Sequence, residues 1–573
     1  MNFDKIYIDG INNLLNDDFH YDPISLSKFL NQNKNLIFNL LNNRSIVDQT
    51  VNVINYLIKN NKIYLSIIYH EILSSKFPDD YELKFQLANS CANIKLYKIA
   101  EIHLLSIPKD KLKAHHVKLL VNIYHKLQDF NNCIKYIEYI RKIEGADEIG
   151  TRMLIDCYRR LGNLGKAEDY FKQLSSFDID ELNKNILSIQ LNLAKGKFEL
   201  AKHEIEKNIL NFPNKPELRE LKALINFKYK EFDDAVFELK KAKELGYEDY
   251  DSAVYDCFLS KKNFKEGFSS LAKATKNNII INFFISKKLY QWAGENLNNQ
   301  NLFIYPGEGI ALGDQIFFFR YLYDLILKFE KIKIYLCLTS LKSKNLFSYK
   351  NIEIIQIDYV EKYISPIDTG YYSSLPELAE VYESFKLEKK IPFHFNFFPN
   401  NEQKNIFWKN YVKNYSSKLN IGLNWKGDIK YKWDIYRTLN IKYFEEILNI
   451  KQIQFFILNI NLTSEEKNYL QNFNNVKIID DTLIKEEKIN SFVETIEIIR
   501  NLDLVISVDT SIAHLTAGLG VKLYLLLEYS PFWYWNIFES ENYYQNSQIT
   551  FFNQKVPGDW FSVINNLKNK LIN

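Results

Sequence analysis

The chain of 573 residues carries 73 Lys and Arg against 70 Asp and Glu, a formal net charge of +3, so no basic surplus marks a binder of nucleic acid or of membrane surfaces. At 46% hydrophobic, 15% aromatic and 25% charged it has ample apolar surface to bury, which excludes wholesale disorder, and its length predicts three or more domains. Only 18 Gly and 12 Pro occur, too few for a collagen-like, loop-rich or turn-dense all-β protein.

The amino terminus, MNFDKIYIDGINNLLN, lacks a basic segment followed by an apolar one, and no run of 18 apolar residues occurs, which predicts a soluble, cytoplasmic protein. Cys91, Cys133, Cys157, Cys257 and Cys337 form no CxxC pair and keep no regular spacing, so neither a zinc site nor a disulfide framework is expected. Residues 1–45 are expected to form a helical cap on the array that follows.

From residue 46 to 285 a small residue recurs one helical turn after an apolar one: Ala100, Cys133, Ala167, Ala201, Ala235 and Gly267, with spacings of 33, 34, 34, 34 and 32, and Ser66 precedes the series by another 34. Two short helices and two turns fill about 34 residues, and only a small side chain fits where the helices of a hairpin cross closely. The residues three before each small one (Tyr97, Phe130, Leu164, Phe198, Phe232 and Phe264) share its face, and Pro213 stands where a helix must end. The series resembles the tetratricopeptide repeat (TPR) with a degenerate consensus, in about seven units, and such a stack offers a concave wall to peptides or proteins.

From Asn301 short apolar runs alternate with amphipathic stretches: NLFIY, a Gly-rich turn, DQIFFFRYLYDLILKF, KIKIYLCL and IEIIQID. After a polar stretch near 400–418 the alternation restarts with LNIGLNW and continues through IQFFILNI, NVKIID, LDLVISV and KLYLLLE. This order predicts two parallel α/β domains, at 300–400 and 415–573. Ligands of such sheets bind beyond the carboxyl ends of the strands.

Three strand ends carry chemistry. In YPGEGIALGDQIFFFRYL, Gly313 and Asp314 open a helix; Asp314 is either an ordinary helix cap or a carboxylate projected into a cleft. In IGLNWKGDIKYKWDIYRTL, the residues Trp425, Lys426, Gly427, Lys430, Lys432 and Arg437 follow a buried strand; cations there suit a pyrophosphate, Arg437 more than the two lysines of the loop. In LDLVISVDTSIAHLTAGLGVKLYLLLE, a strand ends at Asp509, Thr510 and Ser511 and a helix begins, so backbone N–H and hydroxyl groups can hold an anion, with His514 one turn inward.

The combination of LGDxxxFxRYL, GLxWxG…D…RT, DLVISVDTSxAHLxAGLG, a following PFWYW and a terminal GDW resembles the TPR glycosyltransferases related to ADP-heptose:lipopolysaccharide heptosyltransferases, glycosyltransferase family 9. Lys426 departs from that pattern, where a small residue is usual, and so does EYSPFWYW, where PDWRW is more usual. The resemblance implies an all-α TPR-like solenoid followed by a GT-B pair of Rossmann-like domains, an α plus α/β multidomain chain that holds a nucleotide-diphosphate sugar mainly in its last domain. It further implies Asp314 as the general base; Thr510, Ser511 and His514 on the donor diphosphate; Asp509 on sugar hydroxyls; Arg437 on phosphate or sugar; and Glu494 on the ribose. Gly313, Trp425, Lys426 and Gly427 are further donor-site candidates. One base facing one anion site predicts single displacement with inversion, without a metal or other cofactor, since no Asp-x-Asp stands at a strand end. The expected acceptor is a protein presented by the repeats. A glycan or lipid-linked saccharide is the alternative, as is a non-catalytic scaffold with a degenerate GT-B half.

Overall fold

A computed structural model describes residues 76–93, 96–338, 352–356, 370–384, 401–415, 419–428, 434–460, 462–479, 493–537 and 548–572, with a few isolated positions before 76. The expected cap at 1–45, the early repeat position Ser66, and Lys430 and Lys432 lie outside the described residues. The chain divides after Ile179 into two compact units, Met1–Ile179 and Asp180–Asn573.

Among the described residues of the first unit, six α-helices form three hairpins: α1 (Tyr81–Asn93) with α2 (Tyr97–Leu105), α3 (Ala114–Lys126) with α4 (Phe130–Glu144), and α5 (Glu148–Arg160) with α6 (Leu164–Leu174). The second unit opens with three more: α7 (Glu181–Ala194) and α8 (Phe198–Asn211), α9 (Pro216–Lys228) and α10 (Phe232–Glu244), α11 (Tyr250–Ser260) and α12 (Phe264–Ala274), followed by α13 (Asn278–Ser286).

The recurring small residues sit on the second helix of each pair, and Ala100, Cys133, Ala167, Ala201 and Ala235 are fully buried. Gly267 shows why bulk is excluded, because a Cβ there would lie 2.5 Å from Leu259 Cδ2 of the facing helix. The aromatic or apolar residue three before each small one is the first residue of that helix. Each of five hairpin turns places one residue at positive φ, at Gln128, Gly162, Gly196, Lys230 and Lys262, and the amide that follows reaches back to close the preceding helix. A left-handed turn of fixed length, rather than glycine itself, is what the period preserves.

Beyond the repeats lie two parallel sheets. The first contains β1 (Tyr290–Gln291), β2 (Asn301–Tyr305), β3 (Lys333–Leu338), β4 (Ile352–Gln356) and β5 (Tyr371–Ser374) in the order β1-β5-β2-β3-β4, with α14 (Leu312–Lys328) after β2 and α15 (Leu375–Ser384) after β5. A further helix, α16 (Glu402–Lys413), occupies the stretch expected to be merely polar; its Trp408 is buried, and one apolar stripe suffices to hold it down.

The second sheet runs β11-β10-β9-β6-β7-β8. Its strands are β6 (Leu419–Asn424), β7 (Ile453–Ile457), β8 (Val476–Ile478), β9 (Leu504–Val508), β10 (Leu523–Leu527) and β11 (Ile549–Asn553). The connecting helices are α17 (Asp434–Arg437), α18 (Glu445–Leu448), α19 (Ser464–Leu470), α20 (Val493–Ile499), α21 (Ser511–Gly518), α22 (Trp533–Ile537) and α23 (Trp560–Ile572). Burial on both faces explains the mainly apolar runs of β7, β9 and β10, each broken by at most one polar residue, Gln454 in β7 and Ser507 in β9.

In each sheet the chain adds strands on one side of its first long strand and then returns to the other. The reversal lies between β2 and β5 in the first sheet and between β6 and β9 in the second. Such switch points open a crevice at the carboxyl ends of the strands. One apolar core joins α12, α14, α15 and α21, with Phe268, Phe317, Leu322, Leu378, Ala513 and Trp533 among its members. The loop after β2 rests on the last repeat, where Glu308 N–H donates to Thr275 O at 2.7 Å and a Cβ on Gly307 would meet the Thr275 side chain at 3.2 Å. Within this unit the last repeats are therefore part of the α/β body.

Candidate functional site

The two switch points meet through the starts of α14 and α21. The helices approach so closely that a Cβ on Gly313 would lie 3.0 Å from His514 Cδ2 and 3.6 Å from Ser511 Cα. Gly313 thus acts by leaving room, and it brings Asp314 beside the second sheet's helix.

Asp314 accepts the Ala311 N–H at 3.3 Å, as a helix cap does, and its other oxygen accepts from Tyr534 Oη at 3.3 Å. The same phenol lies 3.2 Å from His514 Nε2. Burial of the Asp314 carboxyl, aided by the charge of Asp509, pushes its pKa up to about 6, while Arg437 pulls the other way. Both roles expected of Asp314 are compatible with this geometry: it caps α14 and faces the cleft.

His514 is buried against Trp535, with ring centroids 5.0 Å apart. Burial, with Arg320 and Arg437 adding to it, lowers its pKa to about 3, so the ring is neutral at physiological pH and offers a hydrogen bond rather than a charge. Arg320 itself is fully buried, its guanidinium 4.0 Å from the Phe317 ring centroid.

Asp509 directly follows β9 and is 5% exposed. It lies 3.8 Å from His514 Nε2 and, through Oδ2, 3.9 Å from Arg437 Nη1. Burial raises its pKa; Arg437 and the Trp535 indole oppose that shift. Arg437 is oriented by Asp434, which accepts from its Nε at 2.9 Å and from Thr438 Oγ1 at 2.7 Å.

The hydroxyl of Thr510 turns away from the helix start. It accepts from Asn424 Nδ2 at 2.9 Å, and Asn424 also reaches Ser507 at 3.0 Å, pinning the end of β6 to the end of β9. Ser511, half-buried, is the first residue of α21, whose opening amides have no intrahelical acceptor.

The structure places three other candidates differently. Trp425 is fully buried in the core beneath the second sheet, with Nε1 3.3 Å from Glu466. Lys426 pairs with the same Glu466 at 2.6 Å. Glu494 accepts from Trp408 Nε1 at 2.6 Å and pairs with Lys404 at 2.7 Å, so its partners belong to α16 rather than to the group around Asp509.

Gly427 faces the Asp434–Arg437 pair. A Cβ there would come within 2.3 Å of Asp434 Oδ1 and 2.8 Å of Arg437 Nη2, while its φ is open to any residue. Gly427→Ala is therefore expected to displace Arg437 at a cost of about 1–3 kcal/mol, read as a lowered Tm by thermal denaturation.

Sequence reasoning assigned no role to Tyr534, Trp535 or Asp434, although all stand within the quoted motifs, and it missed the contribution of the repeats. Lys228 at the end of α9 forms a buried ion pair with Glu528 after β10, and Asp256 of α11 accepts the Trp533 N–H at 3.1 Å. Among the described residues, Glu82, His115 and His116 of the first unit have ligand atoms within 4.8 Å of one another. His116 Nδ1, however, accepts the Lys113 N–H, which leaves the proton of the neutral ring on Nε2. No helix of the described residues is long and apolar enough to cross a membrane.

No protein-family model matches the chain, and no curated protein matches it. Among solved structures it is similar to a tetratricopeptide repeat protein from Parabacteroides merdae ATCC 43184 (12% identity, 42% of this chain and 97% of that one, TM-score 0.36). It is also similar to a family 9 glycosyl transferase from Veillonella parvula DSM 2008 (11%, 49% and 97%, TM-score 0.36) and to the E. coli heptosyltransferase WaaC with ADP (11%, 48% and 99%, TM-score 0.32). By its own element order, paired repeat helices and then two parallel α/β sheets meeting at their switch points, the chain has a TPR-like solenoid joined to a GT-B pair.

Proposed function

We propose that the protein transfers a sugar from a nucleotide-diphosphate sugar to an acceptor hydroxyl by single displacement with inversion, without a metal ion. The observation that carries this reading is the meeting of Asp314, from the first sheet, with Asp509, His514 and Arg437, from the second, through the Tyr534 hydroxyl.

The acceptor oxygen forms a bond to the anomeric carbon while the bond from that carbon to the diphosphate oxygen breaks. The acceptor proton passes to Asp314, and the electron pair of the broken bond leaves with the diphosphate. Arg437 and the first amides of α21 stabilise the charge that builds there. His514, neutral, donates a hydrogen bond, and Asp509 accepts from sugar hydroxyls. Thr510, whose hydroxyl is committed to Asn424, contributes by fixing the turn. A protein acceptor fits a molecule whose last repeats are built into the α/β body through Lys228, Asp256 and Thr275.

A thermal-shift panel of UDP, GDP, ADP and their sugar conjugates tests the proposal. One nucleotide is expected to raise the Tm of the wild type, with the shift lost in Arg437→Ala. No shift with any of them returns the chain to the scaffold reading, and an acceptor screen of peptides against glycans decides between the acceptor classes.

A further inference from the structure

A partly enclosed cavity of about 80 Å³ lies where repeat helices α9 and α11 meet the second sheet. It has room for about five to eight waters, the space of one polyhydroxylated ring and not of an extended peptide. Arg437 and Asp509 line it together with Tyr255 and Asp256 of α11, so the cavity is shared by the site of the second sheet and the repeats.

Its chemistry is that of a hydroxyl-rich, uncharged ligand. Four carboxyl groups line it, those of Glu220, Asp256, Asp509 and Glu528, with that of Asp256 pushed up to about 8 by burial; Lys228 is engaged by Glu528, and Arg437, oriented by Asp434, stands at the end nearest the reaction centre. Such a lining exchanges hydrogen bonds with hydroxyls. Phe227, Tyr255 and Phe532 supply flat apolar faces for the C–H side of a ring. One lining atom lacks a partner: Ser530 Oγ makes no hydrogen bond, although the residue is 1% exposed. Buried polar atoms left unmet at a cavity wall are the mark of a ligand-binding surface.

We infer that this cavity holds the transferred sugar of the donor, so that the last repeats, through α9 and α11, select the sugar as well as supporting the acceptor side. The inference rests on the transferase reading. Diphosphate then lies at Arg437 and the start of α21, and the ring extends from it toward Ala253 and Tyr255.

Two variants read the cavity alone. Ala253→Leu fills it from the repeat helix, and Ser530→Ala removes an oxygen that makes no hydrogen bond within the protein, so neither strips the fold of a polar contact. Calorimetry is run with UDP-glucose, UDP-N-acetylglucosamine, GDP-mannose and ADP-glucose, each against its bare nucleotide diphosphate. For the conjugate that the wild type binds, the ratio of nucleotide-sugar to nucleotide affinity is expected to fall about tenfold in Ala253→Leu and about threefold in Ser530→Ala, with nucleotide affinity held within about twofold. A ratio unchanged in Ala253→Leu, with nucleotide still bound, overturns the inference and leaves the transferase reading standing. Failure of the wild type to bind any of the nucleotides removes both.

Discussion

Asp314→Asn is expected to lower sugar transfer by about 10²- to 10⁴-fold while nucleotide affinity stays within about twofold of the wild type. The substitution keeps the shape of the side chain and one acceptor oxygen for Ala311 N–H or Tyr534 but removes the carboxylate proposed as the base. Turnover assays and calorimetry on the same preparations separate the two effects, and a scaffold protein would show neither activity nor its loss.

The pH dependence carries the same signature with a definite sign. A base works ionised, and burial raises the Asp314 carboxyl from 3.8 to about 6, so kcat/KM should climb about tenfold per pH unit up to about 6 and then level. For stability the direction is reversed. Because the folded state holds its proton more tightly than the unfolded chain, the wild type loses stability as pH rises between those two values, and Asp314→Asn escapes the loss. A variant that is inactive yet no less stable at pH 7, by thermal denaturation, identifies a carboxylate kept in place for chemistry. A variant that is active, or whose Tm falls by many degrees, identifies Asp314 as a cap alone.

Lys228→Met is expected to destabilise the second unit by about 3–5 kcal/mol. The Lys228 side chain is 6% exposed and that of Glu528 15%, and the Tyr436 ring lies over the ammonium, with Nζ 4.3 Å from its centroid. Methionine preserves the apolar stem and its contact with that ring, so the cost comes from the carboxylate left behind. Glu528 is already raised by burial and drawn down by Lys228; without the lysine it rises further. The folded variant then binds a proton that the unfolded chain releases above about 4.5, so its deficit should deepen from pH 5 to pH 8. Denaturant titrations at the two pH values check the sign. The double variant Lys228→Met with Glu528→Leu should recover most of the loss, since two apolar side chains replace the pair. A deficit of equal size at both pH values would mean that packing, not charge, holds the repeats to the sheet there.

Much of the architecture is local in origin, and so it was legible in the chain. The 34-residue period comes from helices whose crossing tolerates only a small side chain, and Ala201, Ala235 and Gly267 are that requirement written into the sequence. The strands at 301–305, 453–457, 504–508 and 523–527 stand out because burial on both faces leaves no polar alternation. The strand at 371–374 and the helix at 402–413 were not legible, being short, or polar except on one stripe, and stabilised by what they pack against.

At the candidate site the sequence by itself determined the residue types and their places after β2, β6 and β9, because a strand end followed by a helix start is a local pattern. Only the tertiary structure decided which way each side chain turns. Trp425, Lys426 and Glu494 are claimed by neighbours far along the chain, and Thr510 is claimed by Asn424. Tyr534 joins Asp314 to His514, and Asp256 reaches Trp533, across separations of 220 and 277 residues. Those partnerships arise where two switch points and a repeat helix converge, and no periodicity along the chain records that convergence.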